Sequence, residues 1–355
     1  MPLLIELPDA STKMRDKFKW NLLAQTTFQK PESLGDFVSN GIVSHDQFDA
    51  VLDGDPVVRT YNNFMINSGH VVTTNQRCKG MYLFIEGDLT VNGVLSMTAR
   101  GAKAPGKFVG MDYYNGLIHF DDTDIFSQYE IPRIHKAGGA GANRVSASSA
   151  DGTHSYKAGL PGNDSEDSCG GGGGGGVASS HGGTTQGAVG SAGTSFSGGP
   201  AGGGTIGLDM SGNGYAPGIE GGVGGNGRVF LPKTTTLVRG AGGGAGNPGG
   251  TKFSLNGGVS ANGKLGTGGL MILIVRGNII FGSVGQIEAK GSDGGNADFA
   301  AGGGSGGGIV QIFSPHEISE PNKILTTGGI GGTASNAKGG NGGNGSCKIH
   351  KVRLM

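Results

Sequence analysis

The residues of this chain best suited to chemistry are two carboxylate clusters, Asp121-Asp122-Thr123-Asp124 and Asp164-Ser165-Glu166-Asp167. Clustered oxygens of this kind can hold a divalent cation such as calcium. Neither cluster has the ligand spacing of an EF-hand loop, so a solvated loop is the simpler reading of both. A divalent ion at Asp121, Asp122 and Asp124 stays open as the alternative. The eight histidines, His45, His70, His119, His135, His154, His181, His316 and His350, are scattered, with no neighbour at metal-ligand spacing. Cys78, Cys169 and Cys347 are odd in number, far apart and without a Cys-x-x-Cys pair, which argues for free thiols rather than a disulfide framework or a zinc site. Gly106-Lys107-Phe108 and Gly263-Lys264-Leu265 lack the Ser or Thr that a phosphate-binding loop needs after its lysine. There is no His-Glu-x-x-His, and no Gly-x-Ser-x-Gly in a strand-to-helix context. The sequence therefore predicts no catalytic residue, no cofactor and no metal site. The enzymatic alternative is a pair of carboxylates that meets only in space, as in a β-solenoid that cleaves polysaccharide.

Aromatic rings near glycine stretches are more suggestive of recognition. Tyr113, Tyr114, Tyr156, Phe196, Tyr215, Phe253 and Phe299 all have this setting. Rigid amphipathic rings on loop tips contribute contact area at low entropy cost. Taken as a set they are the candidate binding residues, although any single ring can instead tuck back onto its scaffold.

The scaffold that must carry these residues is unusual in composition. Glycine supplies 77 of 355 residues, roughly three times its ordinary share. Lys+Arg and Asp+Glu both number 27, so the net charge is zero. That argues against nucleic acid or an anionic membrane held by bulk electrostatics, while leaving room for a local patch. The N-terminus lacks a basic start followed by an apolar stretch, so no secretory signal is expected. No run approaches the ~18 apolar residues of a membrane span.

Residues 1–53 are poor in glycine and hold the only Trp. Phe18, Trp20, Leu22, Leu23 and Phe28 have helical spacing between Asp16 and Gln29. Pro31 opens a second helical stretch ending near Gly41, and Ser44 reads as an N-cap for His45 to Leu52. This segment is expected to be a small helical attachment module, or else a helical cap over the first β-layer. Residues 54–137 read as a β-rich base. Within it, Leu89 to Met97 around Asn92-Gly93 has the signature of a β-hairpin.

The chain also repeats itself. Met81 to Gly101 aligns without a gap with Met271 to Gly291, with Leu83 matching Leu273, Ile85 matching Val275, Gly87 matching Gly277 and Ala99-Arg100-Gly101 matching Ala289-Lys290-Gly291. A looser third copy runs from Ile309 to Gly328. A repeated strand, corner, strand unit that exits into glycine predicts stacked β-layers, solenoid-like or sandwich-like.

Glycine tracts dominate residues 138–355: Gly170 to Gly176, Gly198 to Gly204, Gly221 to Gly227, Gly240 to Gly250, Gly302 to Gly308 and Gly328 to Gly345. A lone tract would read as flexible linker. Many tracts between strong strands fit better as a packed bundle of polyglycine II helices, whose outward N–H and C=O groups must be satisfied by neighbours. The fold class expected is mainly β: a glycine-rich, β-layered scaffold with a polyglycine II bundle and a small N-terminal helical module.

Tracts such as Gly170 to Gly176, Gly198 to Gly204 and Gly302 to Gly308, separated by short variable segments, make residues 138 to 345 resemble the distal tail-fibre adhesins of T-even-like bacteriophages. The resemblance rests on architecture, and the Met81 and Met271 repeat is more β-rich than that family. It implies an N-terminal attachment domain, a polyglycine II sandwich and tip loops that bind bacterial surface receptors. No family residue carries over. On this reading residues 1–53 attach to other phage tail or fibre proteins and residues 138–355 bind a surface glycan or protein. The protein would belong to the virion, either as a homotrimer or as a monomer capping a trimeric fibre, with no nucleic-acid partner. A purely structural virion protein is the alternative, and a capsule depolymerase the third.

Overall fold

The computed structural model describes residues 32–41, 48–102, 138–149, 155–179, 184–194, 196–206, 266–296, 300–351 and 353–354, with the strands Leu4–Glu6, Trp20–Asn21, Met111–Tyr114 and Leu117–Phe120. The fold is mainly β with parallel sheets. Helix is nearly absent among the described residues, with a short 3-10 turn at Pro321–Lys323.

Three parallel sheets hold the core. The first contains, in spatial order, Val57–Tyr61, Met81–Ile85, Leu270–Val275, Ile309–Ser314 and Ser346–Lys351. The second contains Phe37–Val38, Phe64–Ile66, Leu89–Val91 and Ile279–Phe281. The third contains Val71–Thr73, Val94–Ser96, Gln286–Glu288 and Ile324–Leu325. Strand order follows chain order in all three sheets; the circuits that begin at Val57, Met81 and Leu270 each visit the first, second and third sheet in turn, and each lies directly on the circuit before it.

The sequence repeat is this stacking. Met271 pairs with Met81, Leu273 with Leu83 and Val275 with Ile85, and the same register continues through Ile279 on Leu89 and Ile287 on Leu95. Inward side chains from all three sheets, among them Leu83, Leu273, Ile312, Leu89 and Leu95, share one core cluster. The three central strands of the first sheet are buried on both faces: every residue of Met81–Ile85, Leu270–Val275 and Ile309–Ser314 is buried. This explains their continuous apolar runs, as parallel strands covered on both sides require. Between the first and second sheets, Asp36, Asn63, Asp88 and Asn278 stack as a ladder. The Asp36 carboxylate accepts from Asn63 N and Nδ2, Asn63 Oδ1 accepts from Asp88 N, and Asp88 Oδ1 accepts from Asn278 N.

Two sequence expectations need correction here. Leu89–Val91 and Val94–Ser96 do not pair with each other as a hairpin; they belong to different sheets. Asn92-Gly93 is the corner between those sheets. Its backbone N–H groups are taken by Ile66 of the preceding circuit, and a Cβ on Gly93 would overlap the His70 carbonyl oxygen. Close approach of two circuits, rather than a left-handed turn, requires glycine there.

The N-terminal helices are likewise absent from the described residues. Trp20–Asn21 is a strand paired with Leu4–Glu6, which also pairs with Arg353–Leu354. From Glu32 to Ser39 the backbone bonds to the next circuit instead of to itself: Leu34, Phe37 and Ser39 N–H groups donate to the Thr60, Asn63 and Met65 carbonyls. Phe37 and Phe48 sit in the core cluster with Tyr61 and Phe64. Residues 32–41 and 48–53 thus add a first layer to the core that continues into residue 54 and beyond.

The three cysteines are free. Burial raises the Cys78 and Cys169 thiols above their ordinary range and pushes Cys347 from 9.0 up to about 11. A thiol with a raised folded pKa stabilises the fold fully below its unfolded value, and that stability is lost as pH rises past it toward the folded value. The melting temperature is therefore expected to fall as pH rises above about 9. A thiol reagent at pH ~8 should leave Cys78 and Cys169 unlabelled until denaturant is added. Labelling of both in the folded chain would contradict this placement.

Candidate binding surface

The chain leaves the sheets at one corner. After Val94–Ser96, Gln286–Glu288 and Ile324–Leu325 of the third sheet it makes long excursions, over residues 97–269, 289–308 and 326–345, before re-entering the first sheet. In the described parts of these excursions glycine abounds because the segments pack against one another backbone to backbone.

The hydrogen bonds of residues 170–176 repeat with a step of three. N–H groups of Gly170, Gly173 and Gly176 donate to the carbonyls of Gly307, Gly304 and Ala301. Those of Gly171 and Gly174 donate to Asn163 and Leu160, and those of Gly172 and Gly175 to Ser191 and Ala188. In return, carbonyls of Gly170 and Gly173 accept from Gly199 and Gly202, those of Gly171 and Gly174 from Gly343 and Gly340, and that of Gly172 from Ala142. The tract therefore has six neighbouring segments. These bond to each other in a closed ring: residues 139–142, 160–163, 340–343, 301–307, 199–202 and 188–191. A Cβ would overlap a neighbouring carbonyl oxygen at Gly170, Gly171, Gly172, Gly173, Gly175 and Gly176.

This register gives the assembly two ends. At the near end, Gly307 and Gly343 lead into the Ile309–Ser314 and Ser346–Lys351 strands of the first sheet. Buried hydroxyls join the segments to the sheets there: Ser197 Oγ lies 2.7 Å from Thr267 Oγ1, and Ser305 Oγ donates to Gly266 O at 2.8 Å. At the far end, Gly176 continues into Val177–Ser179, which pairs antiparallel with Ser155–Lys157 and parallel with Thr205–Ile206. Ser146–Ser148 pairs with Thr184–Gln186, and Ala300 bridges to Ala337.

The expected binding rings fall in different places. Tyr156 lies at the far end, half-buried, packed against Ala178, Ala300 and Ala337, and burial raises its phenol above the ordinary range. Phe196 lies at the near end and is only 1% exposed, so it is not a loop-tip ring. Its turn is closed by Thr194 Oγ1, which accepts from Phe196 N and Ser197 N, and this folds the ring into the junction. Tyr113 and Tyr114 belong to the Met111–Tyr114 strand, which pairs with Leu117–Phe120. Tyr215, Phe253 and Phe299, and the Asp121, Asp122 and Asp124 cluster, lie outside the described residues.

The second acidic cluster has structural partners. Asp164 Oδ1 accepts from Asn344 N at 2.6 Å, and Asp167 pairs with Lys348 at 2.7 Å. No group of His, Cys, Asp and Glu suited to a metal ion occurs among the described residues. Exposed cations that the sequence did not single out, Arg144, Lys157 and Lys338, cluster toward the far end. Lys338 is far from the other two in the chain, and the register of the glycine segments brings its row beside theirs. Compared with protein-family models, curated proteins and solved structures, the chain matches none.

Proposed function

We propose that this chain is a receptor-binding adhesin of a bacteriophage tail fibre or tail tip. Its three sheets act as a parallel β-solenoid, and its corner excursions pack as a bundle of polyglycine II helices. The three-residue hydrogen-bond step and the outward direction of every donor in residues 170–176 support the helical reading. The observation that carries the functional reading is the closed ring of six segments around that tract. A bundle tied by backbone bonds at every level is a rigid platform, and its connections at the far end are free to vary without disturbing it. Recognition of a bacterial surface glycan or protein would use that end, and several copies per virion would strengthen shallow contacts. No covalent chemistry is part of this role.

The test is to titrate labelled full-length protein against a panel of bacterial strains and their extracted surface glycans. Saturable binding to a narrow subset without release of sugar is the expected result. Released oligosaccharide would make the chain a depolymerase. Absence of binding by folded protein would favour a structural virion component. One observation favours that second reading: Val38, Met65 and Ile280 are exposed and lie in one register row across the second sheet, as a surface for assembly would.

A further inference from the structure

The stretch Asn341-Gly342-Gly343-Asn344-Gly345 contains two Asn-Gly pairs, and both asparagines are exposed. An exposed Asn-Gly pair is chemically labile, because glycine puts no side chain in the way when its backbone nitrogen attacks the asparagine Cγ. A cyclic imide closes, and ammonia leaves with the side-chain nitrogen and the proton given up by the glycine N–H. Water then opens the imide to aspartate or isoaspartate. Ring closure needs a free glycine N–H, a carboxamide free to swing onto it, and rotation about the asparagine Cα–C bond.

The packed segments withhold all three. The Asn341–Gly342 peptide is held on both sides: its N–H donates to Gly329 O at 2.8 Å and its C=O accepts from Gly162 N at 2.9 Å. Three residues on, the Asn344–Gly345 peptide repeats the arrangement, donating to Thr326 O at 2.8 Å and accepting from Ser165 N at 2.9 Å. The side chains are pinned to the segment that takes the N–H groups. Asn341 Oδ1 accepts from Gly331 N at 2.9 Å, and Asn344 Oδ1 accepts from Gly328 N at 3.1 Å. The segments lie too close to yield: a Cβ on Gly328 or Gly331 would overlap the carbonyl oxygen of Gly342 or Gly339. Exposure and hydrogen bonding thus act in opposite directions here. Bonding wins, because closing the imide at either site breaks bonds to two different segments at once. Exposure only admits the water that acts after the ring has closed.

We propose that Asn341 and Asn344 are latent modification sites, closed to deamidation while the glycine segments are packed and open to it when they separate. Packing then sets the chemical lifetime of this stretch, whatever the far end binds. The products do not fit the clamp. Isoaspartate lengthens the main chain by a carbon, which breaks the three-residue step that the two sites share. A carboxylate at position 344 adds a like charge beside Asp164, which takes the Asn344 N–H on Oδ1 at 2.6 Å and has Oδ2 3.5 Å from Asn344 Nδ2. A separation that lasts long enough for the reaction is thereby made permanent.

The experiment incubates full-length protein in mildly alkaline buffer, with and without urea above the unfolding midpoint, and follows each Asn-Gly pair by peptide mass spectrometry. Conversion at Asn341 and Asn344 is expected to be at least roughly tenfold slower in the folded protein, since the reaction tracks the fraction of time the segments are open. Equal rates in the two conditions overturn the proposal. The variant Gly331→Ala tests the clamp itself. Its new Cβ overlaps the Gly339 carbonyl oxygen and displaces the N–H that holds Asn341. In the folded variant Asn341 should convert a few-fold faster than in the native chain, while Asn92-Gly93, at the corner between the second and third sheets, keeps its native rate. An unchanged rate at Asn341 overturns the assignment to the clamp. So does an equal rise at Asn92, which would trace the protection to the stability of the whole chain. Should Gly331→Ala fail to fold, the native chain with and without urea decides.

Discussion

Replacing Gly173 with alanine is expected to lower stability by at least about 3 kcal/mol, while Gly174→Ala changes it by less than about 1 kcal/mol. The two residues are adjacent, both buried and both glycine, so composition and propensity predict the same result for each. Packing separates them. A Cβ on Gly173 overlaps the Gly340 carbonyl oxygen, which also accepts from Gly304 N. Moving that carbonyl disturbs a second bond, because Gly173 N itself donates to Gly304 O at 2.9 Å. A methyl group there has no flexible side chain to displace, only backbone, and backbone shifts of neighbouring segments propagate around the ring. At Gly174 the nearest atoms to a new Cβ are Ala142 Cβ at 3.3 Å and Ala188 O at 3.4 Å, so a shift of a few tenths of an ångström by the Ala142 side chain accommodates it, with no backbone overlap. Its φ does not lie in the left-handed region. Alanine there also restricts the unfolded chain, which can contribute about 0.4–1 kcal/mol in its favour. Gly173→Val should be worse than Gly173→Ala. Calorimetric melting of the three variants checks this, and equal melting temperatures for Gly173→Ala and Gly174→Ala would mean that the segments are not packed as described.

What the sequence reveals of this fold follows from which interactions are local. Stacked circuits place Leu273 on Leu83 and Val275 on Ile85, so each level demands the same residue type and the alignment of Met81 to Gly101 with Met271 to Gly291 is visible. The partner of Leu89–Val91 is not visible in the same way. Alternation around Asn92-Gly93 looks identical whether the flanking strands pair with each other or with Phe64–Ile66 and Val71–Thr73 of the preceding circuit. The apolar spacing near Trp20 and Phe37 misleads for a related reason. Short runs do not distinguish a helix face from strand residues whose partners lie elsewhere in the chain. At the candidate surface, Tyr156 and Phe196 share a glycine-rich setting, yet one lies at the far end and the other at the near end. The distinction depends on whether a segment runs away from the sheets or toward them. Only the hydrogen bonds between segments fix that direction.

Deleting residues 1–53 is expected to abolish cooperative folding, and Phe48→Ala alone to cost about 3–5 kcal/mol. Phe48 is fully buried. Phe37 stacks on Phe64 with ring centroids 4.2 Å apart, and Phe48 meets Phe37 and Phe64 edge-on at 5.8 and 6.3 Å. Tyr61 completes the cluster, 5.1 Å from Phe64. Removing the first layer would expose Tyr61 and Phe64 to water at the end of the core. It would also strip the Thr60, Asn63 and Met65 carbonyls of their donors. The deletion further removes Asp53, whose carboxylate takes two hydrogen bonds from Arg77 at 2.9 and 2.8 Å. Arg77 is buried, and losing one partner of a buried ion pair costs about 3–5 kcal/mol by itself. These losses together reach the whole stability of an ordinary domain, about 5–15 kcal/mol. Circular dichroism and urea titration of the truncated chain decide the matter. A cooperative transition close to that of the full-length protein would show that residues 1–53 are a separable attachment module. Broad or absent unfolding would show that any attachment function of this segment is carried by residues that also close the core.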